Sequence, residues 1–252
     1  MKVVIIGSGN VASVLGRLIK KAGHDVLQVL SRSDENSGSL AAELGAESAN
    51  NKEEISREGD FYLVAVTDSA LNDIDQSCNF GSKLVVHTAG AVPMDVLKKS
   101  AVNYGVMYPL QSLRKEHPVL QGDIPLLIDG NSPGVFSAIE QFALSISSNV
   151  TPTTDAQRLK LHIAAVFVNN FTNHLYMLAS DYCNKEGLDF KMLLPLITET
   201  VLRLKDQMPA DVQTGPAARK DITTLDKHLR ELSVYPALRN IYLKMSDSIM
   251  NY

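Results

Sequence analysis

"KVVIIGSGNVASVLGRLIKKAGHDVLQVL", residues 2–30, decides how the chain is read. Residues 3–6 form a short apolar run that ends at a glycine, the pattern of a buried strand. Gly7-Ser8-Gly9-Asn10-Val11-Ala12 follows, then an amphipathic stretch to Lys21, then a second apolar run over residues 26–30. Strand, glycine turn, helix, strand is the context in which a G-x-G-x-x-A turn holds a dinucleotide pyrophosphate. Gly7 permits the tight turn, and Gly9 lets the anion approach the backbone. The helix start presents unpaired N–H groups and a partial positive charge to it. Ala12 stands at the third glycine position, where the need is close helix–strand packing.

The end of the second run narrows the cofactor. A carboxylate that holds a ribose is expected there, and Ser31-Arg32-Ser33 stands instead. A carboxylate would repel a 2′-phosphate, whereas Arg32 can pair with one bidentately and Ser31 and Ser33 can donate to it. The expected cofactor is NADP(H). The alternative is a solvated Arg32, with Asp34 or Glu35 on the ribose.

The chain has 252 residues and a formal net charge of -4, so no basic field argues for nucleic acid or a membrane surface. No apolar run reaches the roughly 20 residues of a membrane span. The N-terminal run continues into glycines as a strand does, not as a signal peptide does. Cys78 and Cys183 lie in different regions and form no metal spacing, which suits a cytoplasmic protein.

Further strands are expected at residues 61–66, 84–87, 105–108 and 126–128. Helical segments near 11–21, 40–44, 70–77, 96–99 and 133–146 alternate with them, as in a parallel sheet covered by helices. Two later strand ends, Val66-Thr67-Asp68 and Thr88-Ala89-Gly90, belong to the cofactor side of that sheet. Asp68 has a second reading as the N-cap of the helix after it. From Asp155 onward the pattern is helical. The fold class is therefore α/β: a Rossmann-type, mostly parallel sheet domain over residues 1–150, then an all-α domain over residues 151–252.

The stretch "DAQRLKLHIAAVFVNNFTNHLYMLASDYCNKEG", residues 155–187, reads as one long helix. At about 100° per residue, His162, Asn169 and Asn173 fall within roughly 40° of one another, with Asn170 and His174 beside them. Phe167, Phe171, Leu175 and Leu178 take the other side. An imidazole titrates near neutrality, so His162 is the candidate acid toward a carbonyl or imine, and Asn170 a candidate to orient it. Such polar side chains also serve merely to satisfy buried backbone groups or a subunit contact. Tyr108 and Gln111 stand at another strand end. Tyr108 and His87 are alternative proton donors, and Arg219 is a candidate for a substrate anion. Asp221 reads as an N-cap.

The segments "GSGNVA", "HTAGAV", "YPLQSL", "PLLIDG", "HIAAVFVNNF" and "TGPAARKD" followed by "HLREL" occur in that order. In this the chain resembles the bacterial Rossmann-like proteins with a C-terminal domain of unknown function 2520. These are related to pyrroline-5-carboxylate reductase, the deazaflavin-dependent NADP oxidoreductases and the β-hydroxyacid dehydrogenases. The resemblance implies an NADP-binding domain and a helical domain that dimerises and closes the cleft. The β-hydroxyacid dehydrogenases carry a Lys four residues before an Asn on the long helix. If Asn170 matches that Asn, Val166 takes the place of their general acid. The expectation is an NADP-dependent oxidoreductase moving hydride to or from a small carbonyl or imine at the interdomain cleft. The alternative is a non-catalytic, dimeric NADP-binding sensor or scaffold.

Overall fold

The computed structural model describes residues 1–116 and 124–252. Its first part runs β1 (Lys2–Ile6), α1 (Asn10–Lys21), β2 (Asp25–Leu30), α2 (Asp34–Leu44), β3 (Glu47–Ala49), β4 (Phe61–Val64) and α3 (Asp68–Ser77). It continues with β5 (Gly81–His87), β6 (Ala101–Pro109), β7 (Leu126–Gly130), α4 (Pro133–Ile146) and β8 (Val150–Pro152). The strands form one sheet in the order β3-β2-β1-β4-β5-β6-β7-β8. Among the described residues only the β6–β7 pair is antiparallel, so the mostly parallel α/β expectation holds. The strand order reverses beside β1, which opens a crevice at the carboxyl ends of β1 and β4.

Alternation along the strands splits the core into two layers, as side chains of period two must. Val3, Ile5, Phe61 and Leu63 point to the layer shared with α1, α2 and α4. Val4, Ile6, Tyr62 and Val64 point to the opposite layer, with Leu71 and Ile74 of α3. Strands covered on both faces carry the unbroken apolar runs seen in the sequence. β3 ("ESA") and β8 ("VTP") lack such runs, and the sequence reading misses both. They are three-residue edge strands, held by pairing to one neighbour rather than by burial. The segment expected as a helix at residues 96–99 is a 3₁₀ turn, Met94–Leu97.

The chain divides into two compact units, Met1–Asn170 and Phe171–Tyr252. The sequence reading draws the boundary near Val150, whereas the first unit takes in α5 (Asp155–Ala165). Beyond α5 the helix passes through a π segment, Val166–Phe171, into α6 (Thr172–Lys185). The single long α-helix of the sequence reading is thus interrupted. Each i→i+5 turn takes up extra residues, so side chains after it are rotated away from the α-helical wheel.

The second unit holds α6, α7 (Leu194–Arg203), α8 (Ile222–Glu231) and α9 (Pro236–Met250). Its buried apolar side chains are Cys183, Ala217, Leu225 and Leu232. Met192, Leu196 and Met208 are exposed by 77%, 65% and 69%. Among the described residues, no helix is long and apolar enough to cross a membrane.

Phe142 of α4 is a keystone of the first layer. It is 2% exposed and stacks on Phe61 with ring centroids 3.9 Å apart. Phe142→Ala should cost about 3–5 kcal/mol. Urea unfolding followed by circular dichroism measures this, and a loss under about 1 kcal/mol would contradict the packing described.

Candidate functional site

The carboxyl ends of β1, β2, β4, β5 and β6 surround one cavity of about 520 Å³. Residues 6–11, 30–32, 65–68 and 88–90 line it, together with Asn50, Lys52, Tyr108 and His162.

Gly7 has φ +121°. A Cβ built there would stand 2.0 Å from the Ala65 carbonyl oxygen, so no other residue fits without moving β4. The Gly7 N–H donates to the Leu30 carbonyl at 2.8 Å, pinning the turn between β2 and β4. Gly9 is the N-cap of α1 and offers no side-chain cap. A Cβ at Gly9 would meet nothing within 4 Å. The first turn of α1 holds no acid, so its amide dipoles face the cavity uncompensated. Val11 lines the wall and Asn10 Oδ1 accepts the Lys115 N–H at 3.2 Å. Ala12 is fully buried in the core and plays the packing role expected of it.

At one end of the cavity the Ser8 hydroxyl donates to Ser31 Oγ at 2.7 Å. Arg32 is exposed there and forms no ion pair among the described residues. Ser33 departs from its expected role. Its Oγ accepts the Asn36 N–H as the N-cap of α2, and it is off the cavity wall. Asp34 and Glu35 are off the wall too, and the Asn50 amide holds Asp34. Asn50 and Lys52 also reach the wall, delivered by the end of β3, a strand too short to be legible in the sequence. Lys52 Nζ donates to the Asp73 carbonyl at 3.3 Å.

At the other end, Val66, Thr67 and Asp68 line the wall. Thr67 is the N-cap residue of α3 and Asp68 its first helical residue, which replaces the N-cap reading of Asp68. The Thr88 N–H and hydroxyl both reach the Val64 carbonyl, at 3.1 and 3.4 Å. Tyr108 Oη and His162 Nδ1 are hydrogen-bonded at 2.9 Å, with their rings edge to face. Gly90 seats the pair: a Cβ there would lie 2.7 Å from His162 Nδ1 and 2.9 Å from Tyr108 Cζ. Burial holds the Tyr108 hydroxyl above its ordinary pKa; the Arg158 cation opposes this and Asp68 reinforces it.

His87 is not a proton donor to this cavity. It is 0% exposed and off the wall. Its Nδ1 accepts the Ala89 N–H at 3.1 Å. Burial, aided by the nearby Arg158 charge, lowers its pKa to about 4. Gln111 is exposed beyond β6 and off the wall. Asn170 is exposed in the π segment, also off the wall. Phe167 and Phe171 are exposed rather than turned into a core. Asn173 and Arg219 belong to the second unit. Arg219 is exposed there, and Asp221 caps α8 through the Thr224 N–H at 3.1 Å, as expected. Arg158, buried one turn before His162, escapes sequence reasoning. A lone Arg in a helix signals a solvated face, and the His162 spacing is the only hint against that.

Residues 124–249 match the family model described as "Domain of unknown function (DUF2520)". A candidate NADP oxidoreductase from Bacteroides fragilis is 36% identical over 100% of this chain and 98% of its own, with a TM-score of 0.93. The chain belongs to the DUF2520 family. Residues 2–90 of this DUF2520 protein also match the model "NADP oxidoreductase coenzyme F420-dependent". The 1-pyrroline-5-carboxylate reductase of Streptococcus pyogenes shares its fold, with a TM-score of 0.67 and 17% identity over 100% of this chain and 99% of that one. An imine reductase from Myxococcus stipitatus, solved with NADP+, has a TM-score of 0.62 and 17% identity over 100% and 92%. No curated protein matches the chain in sequence.

Burial of His87 should make the stability of this DUF2520 protein depend on pH. Its folded pKa, about 4, lies below the unfolded value of 6.5. The unfolded chain therefore binds the extra proton between those values. The His87 contribution is complete above pH 6.5 and is lost as pH falls toward 4, on the order of 3 kcal/mol in all. His87→Asn should flatten the fall in denaturation midpoint between pH 7 and 4.5. An equally steep fall in that variant would remove His87 as its source.

Proposed function

We propose that this protein is an NADP-dependent oxidoreductase that moves hydride to or from a small carbonyl or imine at the Tyr108 end of the cavity. The supporting observation is that one cavity is bounded by both the residue 7–11 turn and the Tyr108–His162 pair. The open space over Gly9 and the uncapped start of α1 suit a pyrophosphate. Ser31 and Arg32 suit a 2′-phosphate, with Lys52 on the same wall. When bound, the nicotinamide ring supplies or takes up the hydride.

The chain's own residues do the rest. Tyr108 and His162 share a hydrogen bond whose proton can pass to the substrate oxygen or nitrogen while its carbon gains hydride. His162 is part exposed, so the pair can be reprotonated from solvent. Gly90 keeps both rings in place, since any side chain there would part them. The reductase names of the structural neighbours favour a carbonyl or imine as the acceptor. This reading shifts the proton-donor role from His162 alone to the pair, and leaves Asn170 without a role on the wall.

The second unit favours a homodimer. It exposes Met192, Leu196, Val201, Met208 and Met245 while few of its side chains are buried. Such faces on a unit of this size need a covering surface, and a second copy presents the same faces in self-complementary form. Light scattering at micromolar concentration should return twice the 27.5 kDa chain mass. A monomer would reject the dimer.

The cofactor reading predicts NADPH binding at least about tenfold tighter than NADH, roughly 1.4 kcal/mol, by calorimetry. Arg32→Asp should abolish or reverse the preference. Equal affinities in the wild type would sink it. Screening carbonyls and imines by NADPH absorbance then tests the chemistry. With an active substrate found, Tyr108→Phe should cut turnover and spare NADPH affinity.

A further inference from the structure

One helical turn before His162, α5 carries a charged cluster that hydride transfer as described does not use. Arg158 of α5 is 1% exposed and sits one helical turn before His162. Its Nη2 pairs with Asp155 Oδ1 at 2.8 Å and donates to the Val92 carbonyl. The two Asp155 carboxylate oxygens take the Met94 N–H at 3.2 and 3.0 Å. The first turn of α5 thereby grips residues 92–94, just after Gly90. Arg158 Nε and Nη1 have no hydrogen-bond partner among the described residues. A clamp alone does not require a buried guanidinium with two nitrogens unpaired, because a neutral donor would bond Val92 without the desolvation cost.

We propose that Arg158, held by Asp155, is a positioning residue for the Tyr108–His162 pair: it fixes the turn that seats Gly90 against both rings, and its buried positive charge stabilises negative charge on the Tyr108 oxygen. The charged and titratable groups facing Tyr108 or the Arg158–Asp155 pair come from four elements. His162 and Arg158 come from α5, with Asp155 at its start. Asp68 comes from α3, neutral His87 from β5 and Asp129 from β7. Burial and Asp68 both disfavour ionised Tyr108, and Arg158 opposes them. As a proton leaves the pair toward a substrate, the charge left behind is felt by a cation held one helical turn from His162 by Asp155 and Val92. Preorganised charge of this kind needs no rearrangement during the reaction.

The inference rests on the pair being the proton source, yet its test needs neither substrate nor cofactor. Replacing Tyr108 with 3,5-difluorotyrosine gives a phenol that titrates well below tyrosine and is read by fluorine NMR. Arg158→Met should raise its titration midpoint by at least about half a pH unit. Arg158→Lys should restore most of the shift, as a merely structural role would not predict. Should Arg158→Met fail to fold, Arg158→Gln keeps a donor for Val92 and carries the same expectation. An unchanged midpoint in a folded variant overturns the proposal, as does failure of both neutral variants to fold, which would make Arg158 a structural requirement only. A wild-type protein that binds no NADPH would instead overturn the cofactor reading, which calorimetry on the same samples reports separately.

Discussion

The Ala65 carbonyl lies 2.0 Å from where a Gly7 side chain would begin, and one end of the cavity is organised around that closeness. Because Gly7 has no side chain, β1 can turn directly beneath the end of β4 and enter α1 with its amides uncovered. The turn is then fixed from both sides, by Leu30 through the Gly7 N–H and by Ile6 through the Ala65 N–H. These bonds put the start of a helix where the strand order reverses, the place in such sheets where ligands bind. Ala65, just past β4, could not keep its position if Gly7 carried a Cβ.

α5 organises the opposite end of the cavity. Its first turn anchors the segment after β5 through Asp155 and Arg158, and its next turn supplies His162 to Tyr108 of β6. A single rigid element thus ties the segment after β5 to the end of β6, its hydrogen-bonded neighbour in the sheet. The two buried nitrogenous side chains nearby meet burial in opposite ways. His87 sheds its proton, because an imidazole can be neutral at little cost. Arg158 cannot, so its charge persists in the interior and acts on whatever surrounds it.

The π segment Val166–Phe171 coincides with the boundary between the compact units. Insertion of such a turn changes which face of the helix each later residue occupies. Asn169, which a uniform wheel sets beside His162, lies in the segment, exposed and off the wall. His162 precedes the segment and keeps its predicted direction, whereas Asn170 lies within it and is exposed off the wall.

The sequence by itself determined the α/β class, the strands buried on both faces and the Gly7–Ala12 turn. These depend on local period and on backbone freedom at single residues, which are legible in any short window. It also brought Ser31, Arg32, Thr67 and Thr88 to the right side of the sheet, because strand ends follow from strand limits. It could not reveal β3 and β8, whose short polar stretches are strands only because a neighbouring edge pairs with them. Only the tertiary structure decided that Ser33 spends its hydroxyl on a helix cap, that His87 is buried and that Lys52 reaches the cavity. It alone brought Tyr108, Gly90, Arg158 and His162 together. Those four meet across more than fifty residues of chain, so their encounter depends on strand register and helix docking, which no local pattern encodes.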